Sequence, residues 1–268
     1  MRRTVVVLLL AGVMGRAASA LDLPEVKQRG DLLTIIVGDP AEPVARPRFF
    51  VEQGGAPRGL EAELLVGFAR LHGIRLQVVY VSSWADLIPA LLAGKGDVIG
   101  GGINDTPDRR RSIAFTVETF PTRNVVVTRR PHRVVRTLEQ LREERVGVQT
   151  GTAYVEASRE AGVPPESLVL FDDAGSITEA MRSGKITATV EGIEMALAPQ
   201  VDDPARQIGA FLGPPLSLAL GVRKEDKQLL AALNEYIRNV RRTPSWNRLV
   251  VTYFGEQAVE ILRRVRIE

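Results

Sequence analysis

The chain has 268 residues, 45% of them hydrophobic and 25% charged, a balance that excludes wholesale disorder, collagen-like repeats and a polytopic membrane architecture. Its net charge of +3 comes from Arg2, Arg3 and Arg16; past residue 20 the count is 32 basic against 32 acidic residues, too even for a protein that tracks nucleic-acid phosphates. With no Cys at all, disulfides, a lipid-modified N-terminal Cys, thiolate metal sites and Cys nucleophiles are excluded.

Residues 1–20 open with Arg2-Arg3, continue with an apolar run from Thr4 to Met14 and close on Ala18-Ser19-Ala20, the three-part pattern of a cleaved secretory signal peptide. Export from the cytoplasm is therefore expected, with a mature chain that starts near Leu21. Strand-like runs rich in β-branched residues follow at Leu32–Val37, Leu76–Val81, Asp97–Gly100, Asn124–Thr128, Val146–Gln149, Leu168–Phe171, Thr187–Val190 and Leu216–Val222. Helical periodicity lies between them, in Leu60, Leu64, Phe68 and Leu71, in Leu87, Ile88, Leu91 and Leu92, in Ile177, Ala180 and Met181, and in Leu229, Leu230, Leu233, Ile237 and Val240. Short buried strands alternating with such helices predict an α/β fold with mainly parallel sheets flanked by helices. Seams are expected at Val125–Arg136 and at Gly213-Pro214-Pro215. Two crossover hinge strands there would make lobe 1 discontinuous, residues 21–127 and 216–268, with 128–215 as lobe 2.

Several chemistries find no support. His72 and His132 stand apart with no companion at metal-ligand spacing, so no metal site is expected and both read as surface residues. Gly94-x-Gly96-x-x-x-Gly100 has the wrong spacing for a dinucleotide loop and reads as a turn before a strand, and neither a Walker loop nor a G-x-S-x-G elbow occurs. Asp172-Asp173 reads as the N-cap and first-turn acid of the Ile177 helix. No cofactor and no catalytic residue are expected.

The stretch from Trp84 through Leu87-Ile-Pro-Ala-Leu91, Gly94-Lys-Gly-Asp97, Thr106-Pro-Asp-Arg109 and Phe115-Thr116 resembles, in order and spacing, the signature of the family 3 periplasmic solute-binding proteins. Gly59-Leu-Glu-Ala-Glu63, Val146-Gly-Val-Gln-Thr-Gly-Thr152 and Tyr253-Phe-Gly255 extend the likeness over roughly residues 30 to 256. Leu92-Ala-Gly-Lys-Gly-Asp97 and Gly151-Thr-Ala-Tyr154 are also similar to the substrate-binding-like module of membrane-bound lytic transglycosylase F. The resemblance implies a type II two-lobe periplasmic-binding-protein fold. It also implies a monomer that closes on a small carboxylate or amino-acid ligand and passes it to an ABC permease or membrane sensor, with no chemistry of its own.

On that resemblance the ligand carboxylate falls to Arg109, whose planar guanidinium makes paired hydrogen bonds, and to Thr152 at a helix start. Gly102 and Asn104 sit where backbone carbonyl and polar groups meet the ligand, and Trp84 with Phe49 or Phe50 would sandwich its side chain. The family's ammonium-receiving Asp is missing: Gly192 holds its position. Glu191 would serve if its strand ends in a bulge, with Glu194 as a second choice. A sensory or cell-wall-fragment-binding module is the alternative function, and a cyclohexadienyl-dehydratase-like enzyme with Glu191 as general acid is a further one.

Overall fold

The computed structural model describes residues 22–38, 48–53, 56–150, 152–200 and 203–265; the expected signal segment 1–20 lies outside the described residues. In chain order the elements are α1 (Leu23–Arg29), β1 (Asp31–Val37), β2 (Val51–Gln53), β3 (Ala56–Arg58), α2 (Leu60–Leu71), β4 (Arg75–Val81), α3 (Leu87–Leu92) after a 3-10 turn at Trp84–Asp86, β5 (Val98–Ile99), α4 (Pro107–Arg110) and β6 (Ala114–Phe115). Then come β7 (Phe120–Arg129), α5 (Leu138–Arg142), β8 (Val146–Gln149), α6 (Ala153–Glu160), β9 (Leu168–Phe171), α7 (Ala174–Arg182), β10 (Ala188–Gly192) and α8 (Ile193–Gln200). The chain closes with β11 (Arg206–Leu218), β12 (Gly221–Val222), α9 (Lys227–Arg241), α10 (Pro244–Phe254) and α11 (Gln257–Arg264).

Two five-stranded sheets form, ordered β4-β1-β5-β12-β6 and β11-β7-β10-β8-β9. Both are mixed. β4, β1 and β5 run parallel, as do β10, β8 and β9, while β12 and the long pair β7 and β11 run antiparallel to their neighbours. Period-two alternation buries the central strands on both faces, while the edge strands β4 and β9 stay partly exposed. Leu32 and Ile36 of β1 pack with Phe68 of α2 and Leu233 and Ile237 of α9, whereas Ile35 packs on the other face with Leu87 and Leu91 of α3. In the second sheet Val126 and Val190 face Leu141 of α5 and Tyr154 of α6, and Val125 and Val127 face Ile193 of α8, Ala258 and Leu262 of α11. Each such aliphatic side chain contributes about 1.5–3 kcal/mol on burial, which is how a chain with no Cys holds its core.

The lobe boundaries expected at 127/128 and 215/216 fall inside β7 and β11. These strands pair from Phe120↔Leu218 to Arg129↔Arg206, so both belong to the second sheet throughout. The chain changes sheet instead at Thr116–Thr119 and at Ala219–Leu220, where Thr116 N and Thr119 N donate to Leu220 O and Leu218 O at 2.9 and 2.8 Å. The run expected as one strand at Leu216–Val222 is accordingly split between the two sheets. Gly213-Pro214-Pro215 is no seam but a register irregularity between Leu212 and Leu216 in β11, an edge strand, where missing N–H groups leave no ladder bond unmade. Nor do α10 and α11 belong to the first sheet alone: Val250, Phe254 and Leu262 share one core with Phe49, Leu60, Val125 and Ile193.

Candidate functional site

In each sheet the three parallel strands point their C-terminal ends toward the two crossings, because β6 ends and β12 begins there on one side, and β7 begins and β11 ends there on the other. Loops at such strand ends are where α/β proteins build binding sites. The first edge carries the loop after β4 with Trp84 and the loop after β5 from Gly100 to Arg111. The second carries Thr152 at the start of α6 and Gly192 at the end of β10.

The loop after β5 is shaped by one buried carboxylate. Gly59, at φ 116°, lets the start of α2 lie against the Phe49 backbone, where an added Cβ would sit 2.5 Å from the Phe49 carbonyl carbon, and Glu61 N and Ala62 N donate to Phe49 O. Glu61, fully buried, then accepts from Gly101 N at 2.8 Å and Gly102 N at 2.9 Å through Oε2, and from the Thr119 hydroxyl at 2.7 Å through Oε1. Gly101 and Gly102 stand at φ 86° and 83°, a left-handed pair that residues with a Cβ seldom adopt. Downstream, Asp105 N donates to Ser217 O and Ala219 N to Ile103 O, so this loop is stitched to the end of β11. A motion of the crossing strands is thereby felt directly by the loop.

Arg109 sits on α4, whose N-cap Thr106 accepts from Arg109 N at 3.3 Å. The neighbouring arginines are each drawn to a carboxylate, Arg110 to Asp105 and Arg111 to Asp108, whereas Arg109 turns inward and donates through Nη1 to Asn104 O at 2.8 Å. Asn104 bridges to Leu218, and its buried Oδ1 meets no donor among the described residues. Gly102, Asn104 and Arg109 thus share one short loop. Trp84 is 36% exposed, at the same sheet edge.

On the second edge, Thr152 is the N-cap residue of α6 by backbone conformation, but its hydroxyl donates to Gln149 O at 2.7 Å and does not cap the helix. Asp173 caps α7 as expected, accepting from Ser176 N at 2.8 Å, and those bonds hold its carboxyl below the usual range. His132 is no plain surface residue: its Nε2 lies 2.8 Å from Glu144 Oε2. His72 leans on the Phe68 ring, and burial lowers its pKa.

Three site expectations are corrected. Phe49 packs edge-on against Phe120 and tilted against Phe254, both at 5.3 Å, and is 2% exposed; Phe50 is wholly buried beside Leu32, Ile36 and Phe68. Both are core, because the turn before β2 folds inward onto α2. Glu191 ends in no bulge: β10 keeps continuous register with β7 from Ala188↔Thr128 to Gly192↔Asn124. Alternation puts its side chain on the Val125 and Val127 face, beneath α8 and α11, where it pairs with Arg206. Burial pushes the Glu191 carboxyl above its ordinary range despite Arg206, and Glu194 adds to the rise.

What sequence reasoning missed was Glu61, whose sign was present in Gly59-Leu-Glu-Ala-Glu63 but read only as a helix start, and the engagement of Glu194. The Thr122 hydroxyl donates to Glu194 Oε2, and the carboxylate lies against Gly192, where a Cβ would fall 2.3 and 2.6 Å from its two oxygens. Among the described residues no cluster of His, Asp and Glu could hold a metal ion, and no helix is long and apolar enough to cross a membrane.

The family described as bacterial extracellular solute-binding proteins, family 3, matches residues 36–256. The chain belongs to that family. Among its relatives the histidine-binding periplasmic protein of Escherichia coli K12 is 28% identical over 68% of this chain and 74% of its own. The membrane-bound lytic murein transglycosylase F of Maricaulis maris is 27% identical over 65% of this chain but only 38% of its own length. A solved mutant of ArgBP from T. maritima is 29% identical and superposes with a TM-score of 0.67 over 87% of this chain and 99% of that one. As a family 3 solute-binding protein, the chain carries its matched segment across both sheets and both crossings.

Proposed function

We propose that this protein is a periplasmic receptor that closes on a small carboxylate-bearing solute, an amino acid or a related compound, and delivers it to an ABC permease. The observation that carries the reading is the loop from Gly101 to Arg109. It offers a guanidinium and an orphaned buried amide oxygen at a strand-end edge, anchored by Glu61 on one side and by the crossing strand on the other. Arg109 holds the carboxylate in a paired, charge-assisted grip, and the first turn of α6 adds N–H groups carrying the positive end of the helix dipole. Trp84 covers the solute's side chain. Closure follows from linkage: a solute touching both edges binds the closed form more tightly and shifts the population toward it. Glu191, held by Arg206 on the helix-covered face, supports binding over acid catalysis.

The similarity to transglycosylase F favours one second reading, a receptor for cell-wall fragments in sensing. A thermal-shift screen of the protein, refolded to strip carried-over solute, against amino acids, dicarboxylates and muropeptides separates the two. A solute at a hundred times its Kd adds about 2.7 kcal/mol, a rise of several degrees, and Arg109→Ala removes it. A response to muropeptides alone moves the function to the second reading; a response that survives Arg109→Ala refutes the assigned grip.

A further inference from the structure

We infer that a second binding site lies outside the cleft, in the corner where α9, α10 and α11 meet β7, and that it takes a small aromatic carboxylate. Two turns build the corner. Pro244 opens α10 shortly after α9 ends, and Gly255, at φ 82°, closes it before α11. The three helices fold back on one another beside Pro121 of β7, and a cavity of about 230 Å³ lies between them. That is below the ~300–1,000 Å³ of sites for drug-sized molecules, so the occupant is a compound with a single ring.

The walls have two characters. Val259 and Leu262 of α11 and the Trp246 ring of α10 suit a flat hydrocarbon body, while Arg241, Asn247 and Arg263 supply N–H donors. Arg241 is fixed before any ligand arrives: its guanidinium lies 5.1 Å from the Trp246 ring centroid, and its Nη1 donates to Glu118 O at 2.5 Å and to Glu118 Oε1 at 3.0 Å. Among the described residues its Nε and Nη2 make no hydrogen bond, which leaves that edge of the fork for an anion in the cavity. Arg263 pairs with Glu260 at 3.2 Å where both side chains are 70% exposed, a bond worth little and readily exchanged for a ligand carboxylate. The charge of the segment favours the same class: the chain past residue 20 is even overall, yet residues 238–265 hold six arginines against two acidic residues. The corner also joins the two halves of the fold, because α9 packs on the first sheet and α11 on the second. Glu118, the partner of Arg241, lies in one crossing and accepts from the Ser217 hydroxyl near the other at 2.7 Å, so an occupant that shares Arg241 sits directly on the crossings.

The chain has two tryptophans, so Trp84→Phe combined with Arg109→Ala removes two groups assigned to the cleft and leaves Trp246 as the only tryptophan, which keeps the outcome separate from the receptor reading. Titration of that protein with phenylacetate, followed by Trp246 emission and by calorimetry, is expected to saturate with a Kd below about 1 mM. Uncharged 2-phenylethanol, and acetate without the ring, bind about tenfold more weakly or worse. Adding Arg263→Ala or Arg241→Gln weakens phenylacetate about tenfold, and Val259→Phe, which fills the cavity, abolishes binding. Arg263 is exposed, so its variant keeps the test open even where loss of the bond to Glu118 unsettles Arg241→Gln. The inference is overturned by the lack of any saturable response, by a response unchanged in Arg263→Ala or in Val259→Phe, or by 2-phenylethanol binding as tightly as phenylacetate. Binding that emerges only when the chain is stopped after Val265 overturns it too, because the corner is then the seat of the residues that follow.

Discussion

The test that reaches deepest into the site is removal of the Glu61 carboxylate, because three donors converge on it. In Glu61→Ala, Gly101 N and Gly102 N lose their acceptor in a fully buried place, and each unsatisfied N–H costs about 1–3 kcal/mol. The Thr119 hydroxyl is spared, because Leu218 O lies 3.0 Å from it as a second acceptor. The expected loss is therefore about 2–6 kcal/mol, with a cavity cost on top. Glu61→Gln behaves differently: its amide oxygen still faces the two glycines, its amide nitrogen donates to Thr119 Oγ, and the hydroxyl turns to Leu218. Only the charge assistance is lost, about 1 kcal/mol. Urea unfolding of the three proteins gives the stabilities, and calorimetric titration with the solute found in the screen gives the affinities. Stability should fall in the order Glu, Gln, Ala, with affinity following as the loop bearing Asn104 and Arg109 loosens. A Glu61→Ala protein within 1 kcal/mol of wild type, or one that binds undiminished, refutes the claim that this carboxylate shapes the loop.

Two further outcomes follow from other parts of the fold. Asp226 is fully buried between Arg223 and the start of α9, and burial, with Asp22, Asp97 and Glu225 adding repulsion against the pull of Arg223, raises its carboxyl from 3.8 to about 6. A raised carboxyl binds its proton more tightly in the folded state, so this residue destabilises the fold above about pH 6 and ceases to do so as pH falls toward 4, a difference of roughly 3 kcal/mol. Asp226→Asn is expected to be more stable than wild type at pH 8 and to lose that advantage by pH 4; parallel stability curves for the two proteins from pH 4 to 8 would rule this out. Phe49→Ala and Trp84→Ala should separate core from cleft. The first loses about 3–5 kcal/mol of stability by urea unfolding. The second is near wild type in stability and binds solute up to about tenfold more weakly; the reverse pattern would reinstate Phe49 as a ligand contact.

Periodicity carried most of the fold, because strand and helix preferences are local: β1, β4, β8 and β9 and the helices α2, α3, α7 and α9 lie where alternation or a 3.6-residue repeat put them. The motif order was equally local, and with it the placing of Gly102, Asn104 and Arg109 in one loop. What separates Arg109 from its two neighbours is tertiary and local at once: Asp105 draws Arg110 and Asp108 draws Arg111. Sequence analysis failed wherever a partner distant in the chain decides. Most of β11 went unseen because Gly213-Pro214-Pro215 erases the local strand signal, and only pairing with β7 holds those residues extended. Phe49 and Phe50 look alike in any cleft or core until Phe120, Phe254 and α2 close around them. Glu191 and Gly192 differ by one residue, yet register sends the Glu191 side chain under α8 to Arg206 and leaves the place of a Cβ at 192 to the Glu194 carboxylate. Residue types and their spacing set which elements form and which charges are available; the tertiary structure decided which charges are spent on the fold, because that depends on long-range packing and register that no local pattern encodes.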